Sequence, residues 1–249
     1  MIPKKIHYCW FGTKPLPKIA KKCIASWKKF CPDYEIIEWN ENNFDVNCCN
    51  YTKEAYQAKK YAFVSDVARL KALIKYGGIY MDIDQEILKP IDSFLKYEAF
   101  CGFTTDEDIG LGILGSSENL DVFKEYLAQY DDIHFIMKDG KPDLTIINDR
   151  FEQFCKKYGF VLNNTLQTIR GITFFPSEYF YAKNHLTQKT KITENTYTMH
   201  HFYASWCTFK MKVYICLVKL FGKRLVLKMS DIKNKIFAYL KPFYKSDKN

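Results

Sequence analysis

The chain has 249 residues, 47% of them hydrophobic and 26% charged, enough apolar side chain for a packed core and too much for a disordered or collagen-like polypeptide. Its formal net charge of +9 sits in residues 207–249, where eleven Lys or Arg face only Asp231 and Asp247; the remainder is neutral, which argues against a nucleic-acid-binding body. Nine cysteines, an odd count without Cys-x-x-Cys spacing, and no apolar stretch after Met1–Lys5 give the expectation of reduced thiols, no signal peptide and a cytoplasmic location.

Ile6 to Phe11 is a short apolar run closed by Gly12, a first strand. Pro17 suits the first turn of a helix in which Ile19, Cys23, Trp27 and Phe30 recur at helical spacing until Pro32 stops it. Glu35 to Trp39 forms a second strand, and strand–helix–strand opens an α/β fold. Helix returns from about Lys53 to Tyr76, with a break expected near Ser65. Asp66 and Arg69, three apart, are neighbours on it, which taken alone predicts a surface ion pair.

Gly77-Gly78 caps that helix, because glycine reaches left-handed backbone without a Cβ penalty. Ile79 to Asp84 then predicts a strand on which Asp82 and Asp84, two apart, share one face. Two carboxylates on one face suit a hard divalent cation shared with substrate phosphates, although Asp-x-Asp also ends strands by chance. Strands at Ala99 to Phe103 and Leu111 to Gly115, then helices at Asn119 to Tyr130 and Leu144 to Tyr158, complete the body. A late cluster, His200-His201 through Ser205-Trp206, adds two adjacent imidazoles. On an extended segment they point to opposite sides, so one of them could join a metal site.

Four ordered stretches, Ile2 to Gly12, Ala62 to Arg69, Gly77 to Asp84 and His200 to Trp206, resemble glycosyltransferase family 32 over residues 1–206, and more distantly the catalytic core of the large clostridial glucosylating toxins. The resemblance implies an α/β GT-A fold with a Rossmann-like mixed sheet over 1–206, and a donor that is a nucleotide sugar, a UDP-sugar by expectation. It also implies a glycan or lipid-linked acceptor in capsular polysaccharide or glycolipid synthesis, and retention of configuration. Mn²⁺ or Mg²⁺ would be bound by Asp84 with Asp82 nearby, and Trp10 and Tyr80 would lie along the donor. Asp66 and Arg69 would hold the donor sugar and its phosphate, while Ser205 and Trp206 would close over the diphosphate. The toxins' spacing of metal ligand to late Trp points to His201, with His200 the alternative. No retaining nucleophile stands out among Asp106, Asp108 and Asp143. A haloacid-dehalogenase-type phosphotransferase also uses Asp-x-Asp, but Gln85-Glu86 follow here, well into the chain. A non-enzymatic sugar- or membrane-binding module is the other competing class.

The tail carries its own expectation. From Met211 to Met229 lysines interrupt the apolar residues, so the segment is no membrane span. Lys212, Lys219 and Lys223 fall on one helical side, which predicts a basic amphipathic helix lying on an anionic membrane, here the inner face of the plasma membrane.

Overall fold

A computed structural model describes residues 1–185 and 187–203. Within them, residues 1–184 and 189–203 form one compact unit. Ser205, Trp206, the expected boundary at 206 and the basic tail lie outside the described residues.

The chain opens with β1 (Lys5–Cys9), α1 (Lys18–Phe30) and β2 (Glu35–Trp39). In α1, Ala20, Cys23 and Trp27 are buried at i, i+3 and i+7, and Lys28 and Lys29 in the last turn favour the negative end of the helix dipole. The next helix breaks earlier than its sequence suggests. α2 (Asn50–Gln57) and α3 (Tyr61–Tyr76) are separate, because Lys59 turns to a left-handed φ of 56° and the Lys60 N–H returns to the Ala55 carbonyl at 2.8 Å. Ser65 lies inside α3, its hydroxyl donating to the Tyr61 carbonyl at 3.0 Å instead of breaking the turn. α3 is buried almost all round from Phe63 to Leu70, so Asp66 and Arg69 are interior residues and not a surface ion pair.

β3 (Gly78–Met81), β5 (Ala99–Thr105), β6 (Asp108–Ser116), β7 (Gln167–Ile169) and β8 (Ile172–Phe175) join the first two strands in a seven-stranded mixed sheet of order β2-β1-β3-β6-β5-β8-β7. β4 (Gln85–Ile87) pairs elsewhere, as described below. Successive side chains alternate between two apolar layers. On one face Tyr80, Cys101, Phe103 and Leu111 pack with α2, α3, α4 (Asp121–Ala128) and α5 (Ile147–Lys156). On the other, Ile6, Ile79, Met81 and Phe100 meet Trp27 of α1 and Phe180 of α6 (Ser177–Phe180). The expected α/β class, a mixed sheet flanked by helices, is what the chain adopts.

β1 is parallel to both β2 and β3. The chain leaves β1 to one side for β2 and returns to the other side for β3, so the strand order reverses there. Open α/β sheets bind ligands beyond the carboxyl ends of the strands at such a point of reversal. Trp10 follows β1 and Asp82 follows β3, on that same edge.

The second sheet delivers the late histidines. β4 and β9 (Thr198–His200) run antiparallel, with Gln85 opposite His200. Gln85 is fully buried; its amide donates to the Phe180 carbonyl at 2.8 Å and the Thr198 hydroxyl at 2.6 Å, while the Trp27 indole donates to its carbonyl at 2.6 Å. Replacing it by leucine removes both side-chain bonds at similar volume. Gln85→Leu is expected to lower unfolding free energy by about 1–3 kcal/mol, read as a lower urea midpoint. An unchanged midpoint would mean the amide is not what secures β4 to β9.

Candidate metal centre

β3 ends at Met81, three residues short of the expected strand, so Asp82 and Asp84 occupy the turn between β3 and β4 and not a common strand face. They still converge. The Asp82 amide donates to the Gly112 carbonyl at 2.8 Å and the Gln85 amide to the Asp82 carbonyl at 2.9 Å, closing a tight turn around Ile83. His200 Nε2 lies 3.2 Å from Asp84 Oδ1 and 3.5 Å from Asp82 Oδ2. One ligand atom from each of Asp82, Asp84 and His200 falls within 4.8 Å of the others, the one such group among the described residues.

The adjacent imidazole goes elsewhere. His201 Nε2 meets Glu86 Oε2 at 2.6 Å, and Glu86 also takes Lys22 at 2.9 Å. The toxins' spacing points to His201, whereas the imidazole beside the acids in the structure is that of His200, the alternative. Gln85 opposite His200 puts the His200 ring, and not that of His201, beside the acids, since neighbours on a strand face opposite ways.

Behind the acids is a buried cation. Arg69 Nη1 donates to the Leu111 carbonyl at 2.9 Å and Nε to the Ser65 carbonyl at 3.3 Å, while Nη2 lies 3.2 Å from Asp66 and 3.6 Å from Asp82. Its guanidinium stacks 4.3 Å from the Tyr80 ring centroid, and the Tyr80 hydroxyl donates to Asp82 Oδ1 at 2.9 Å. The site electrostatics follow from this sharing. Burial pushes the Asp66 carboxyl up to about 7 against the pull of Arg69. Burial also acts on Asp82, but Arg69, His200 and Tyr80 outweigh it and hold that carboxyl below the ordinary carboxylate value. Burial works against a charged His200, yet Asp84 and Asp82 raise its imidazole above the usual 6.5. Asp84 accepts the Tyr203 N–H at 2.7 Å, and the Phe202 N–H donates to His200 Nδ1 at 3.1 Å. With Nδ1 an acceptor, the proton of the neutral ring sits on Nε2, between the two carboxylates.

Other residues singled out in the sequence lie away from the three ligand atoms. Trp10 is partly buried against the α1 side of the sheet, its indole N–H donating to the Lys14 carbonyl at 2.6 Å. Asp106 accepts from Asn164, Asp108 from Thr105, and Asp143 pairs with Arg150. Two contributors went unread. A Cβ at Gly112 would come within 2.8 Å of His200 Cδ2 and 3.0 Å of Asp82 Oδ2, so only glycine lets β6 approach the centre this closely. Gly110 likewise makes room for the Tyr181 ring, whose hydroxyl accepts the Ile113 N–H at 3.3 Å. Glycines inside a strand signal such close approach, and Gly110 and Gly112 carried that signal.

The geometry yields a titration test. In the metal-free protein the His200 ring should titrate above 6.5 by NMR, so its stabilising contribution is present below pH 6.5 and lost as pH rises through the higher folded value. Gly112→Ala, by forcing the ring off the acids, should return the midpoint toward 6.5. A wild-type midpoint at or below 6.5 would contradict the arrangement.

Residues 17–101 match the model of the glycosyltransferase sugar-binding region containing DXD motif, a span that includes Asp82 and Asp84. Inositol phosphoceramide mannosyltransferase 3 of Schizosaccharomyces pombe is 31% identical over 122 residues, 46% of this chain and 33% of that protein. The uncharacterized glycosyltransferase L373 of Acanthamoeba polyphaga mimivirus is 25% identical over 226 residues, 83% of this chain and 84% of that one. Among solved structures, the PaToxG glycosyltransferase has a TM-score of 0.46 at 20% identity, covering 63% of this chain and 68% of that one. The chain spans about a third of the length of the yeast mannosyltransferases it matches.

Proposed function

We propose that this chain is a metal-dependent glycosyltransferase of the family 32 type with a GT-A fold. In this reading it moves a sugar from a nucleotide sugar, a UDP-sugar in the first instance, to a glycan or lipid-linked acceptor. The observation that carries the reading is the convergence of Asp82, Asp84 and His200 at the carboxyl edge of the sheet, inside the segment that matches the DXD region. A lipid-linked acceptor draws support from the yeast relative, whose name records an inositol phosphoceramide substrate.

The donor set fits a divalent ion. Two carboxylates suit Mg²⁺ and Mn²⁺ alike, whereas an imidazole suits later transition ions better, so the mixed set favours Mn²⁺ over Mg²⁺. The ion would take the place of the Nε2 proton; the ring proton then belongs on Nδ1, and the Phe202 N–H must find another acceptor. When bound, the ion supplies Lewis-acid stabilisation of charge on the leaving diphosphate. The chain's own residues do the holding. Tyr80 and the Gly112 carbonyl fix Asp82, and the Tyr203 N–H fixes Asp84. Arg69, with its nitrogens turned to Asp66, Asp82 and two carbonyls, acts as a positioning residue that keeps Asp82 ionised. Trp10, on the same edge, offers part of its indole to the donor base. Ser205 and Trp206 are assigned by resemblance alone to the diphosphate.

Release of UDP from UDP-sugars in the presence of Mn²⁺ tests this reading, and a pure binding module would release none. His200→Ala should raise the Mn²⁺ requirement far more than His201→Ala. The reverse ranking would contradict the assignment of ligands.

For the tail we propose a peripheral anchor on an anionic, cytoplasmic membrane face. Among the described residues no helix is long and apolar enough to cross a membrane. Each Lys or Arg near such a surface adds about 1 kcal/mol. Deleting residues 207–249 should abolish sedimentation with anionic liposomes at low salt while UDP-sugar hydrolysis stays measurable. Failure of the full-length protein to sediment would assign the tail to a protein interface.

A further inference from the structure

Away from the acids, the turn that enters α2 carries two adjacent thiols, Cys48 and Cys49. Both are half-buried, whereas Cys9, Cys23, Cys31, Cys101 and Cys155 are buried. The two converge on one hydroxyl. Cys49 Sγ lies 3.4 Å and Cys48 Sγ 3.7 Å from Thr52 Oγ1, and that hydroxyl in turn lies 3.1 Å from the Cys49 carbonyl. Thr52 is fully buried, so the hydroxyl that gathers the sulfurs is itself fixed.

We propose that Cys48 and Cys49 form a reactive vicinal dithiol, a modification site that a small disulfide of the glutathione class closes to a reversible Cys48–Cys49 disulfide. Three features favour this over inert core cysteines. Partial exposure admits the oxidant. The shared Thr52 hydroxyl holds both sulfurs at one spot, where the thiolate of one, the species that attacks a disulfide, has the other beside it. The second thiol is held beside the first, so the mixed disulfide can be resolved within the chain.

The exchange runs in two steps, and either thiol can begin it. The attacking thiolate displaces one glutathione thiolate from glutathione disulfide and becomes the mixed disulfide. The neighbouring thiol, giving up its proton, attacks that sulfur and expels the second glutathione thiolate. The chain loses two protons and two electrons, and one glutathione disulfide becomes two glutathione thiols.

Cα atoms across a trans peptide are about 3.8 Å apart, less than the roughly 4.4–6.8 Å that relaxed disulfides span. The closed ring is thus strained, which places it with the easily reduced, reversible disulfides and not the structural ones. α2 packs along α3, the helix that carries Asp66 and Arg69, so the modification lies one helix away from the metal centre.

The test treats the full-length protein with glutathione disulfide, quenches in acid, alkylates the remaining thiols and maps peptides without reduction. The expected product is a peptide carrying residues 48 and 49 that is lighter by two hydrogens, resists alkylation and recovers both thiols with dithiothreitol. Cys48→Ser and Cys49→Ser should each stop at a stable glutathione adduct on the cysteine that remains. A lasting glutathione adduct in the wild type, a bond from either residue to another cysteine, or two thiols that stay free would each overturn the proposal.

Discussion

One buried guanidinium organises the carboxyl edge of this sheet. Arg69 lies within ion-pairing distance of both Asp66 and Asp82 while it donates to carbonyls of α3 and β6. Removing either partner of such a pair inside a protein leaves an uncompensated charge and costs about 3–5 kcal/mol. The consequence reaches beyond stability. Asp82 stays ionised because Arg69 and His200 face it, and Asp66, deeper and less well matched, has its carboxyl raised by burial. Asp82 and Asp84 bring two carboxylates to one point beside the His200 imidazole, a set of ligand atoms that suits a divalent ion.

The backbone around the guanidinium serves the same end. β6 approaches closely because Gly112 has no side chain, and its Leu111 and Gly112 carbonyls accept from Arg69 and from the Asp82 amide respectively. β4 and β9 close the opposite side, with Gln85 tied to Thr198 and Phe180 and the indole of Trp27 tied to the Gln85 carbonyl. A helix on each face of the sheet therefore contributes to one turn of four residues, from Asp82 to Gln85.

Much of this could be read from the residues. Short apolar runs and the glycine pair at 77–78 mark β1, β3 and the end of α3, and helical spacing marks α1. The acids at 82 and 84 were placed together for the wrong local reason. Periodicity cannot see where a ladder stops: the Asp82 amide still bonds Gly112 in register, but its carbonyl takes the Gln85 amide and turns the chain away. The choice between His200 and His201 was equally out of reach, since it depends on the register of β9 against β4, a pairing across more than a hundred residues. Asp66 and Arg69 read as a surface pair because spacing reports neighbours on a helix, not what covers the helix.

The central claim is that Asp82, Asp84 and His200 hold a divalent ion through which the chain takes a nucleoside diphosphate. Calorimetric titration of UDP into the full-length protein, with Mn²⁺ and then with excess EDTA, tests it most directly when repeated on Asp84→Ala. The account predicts UDP binding that depends on Mn²⁺ in the wild type and is lost in the variant, with the variant's fold unchanged by circular dichroism. Equal UDP affinity in EDTA, or a folded Asp84→Ala variant that keeps Mn²⁺-dependent binding, would contradict it.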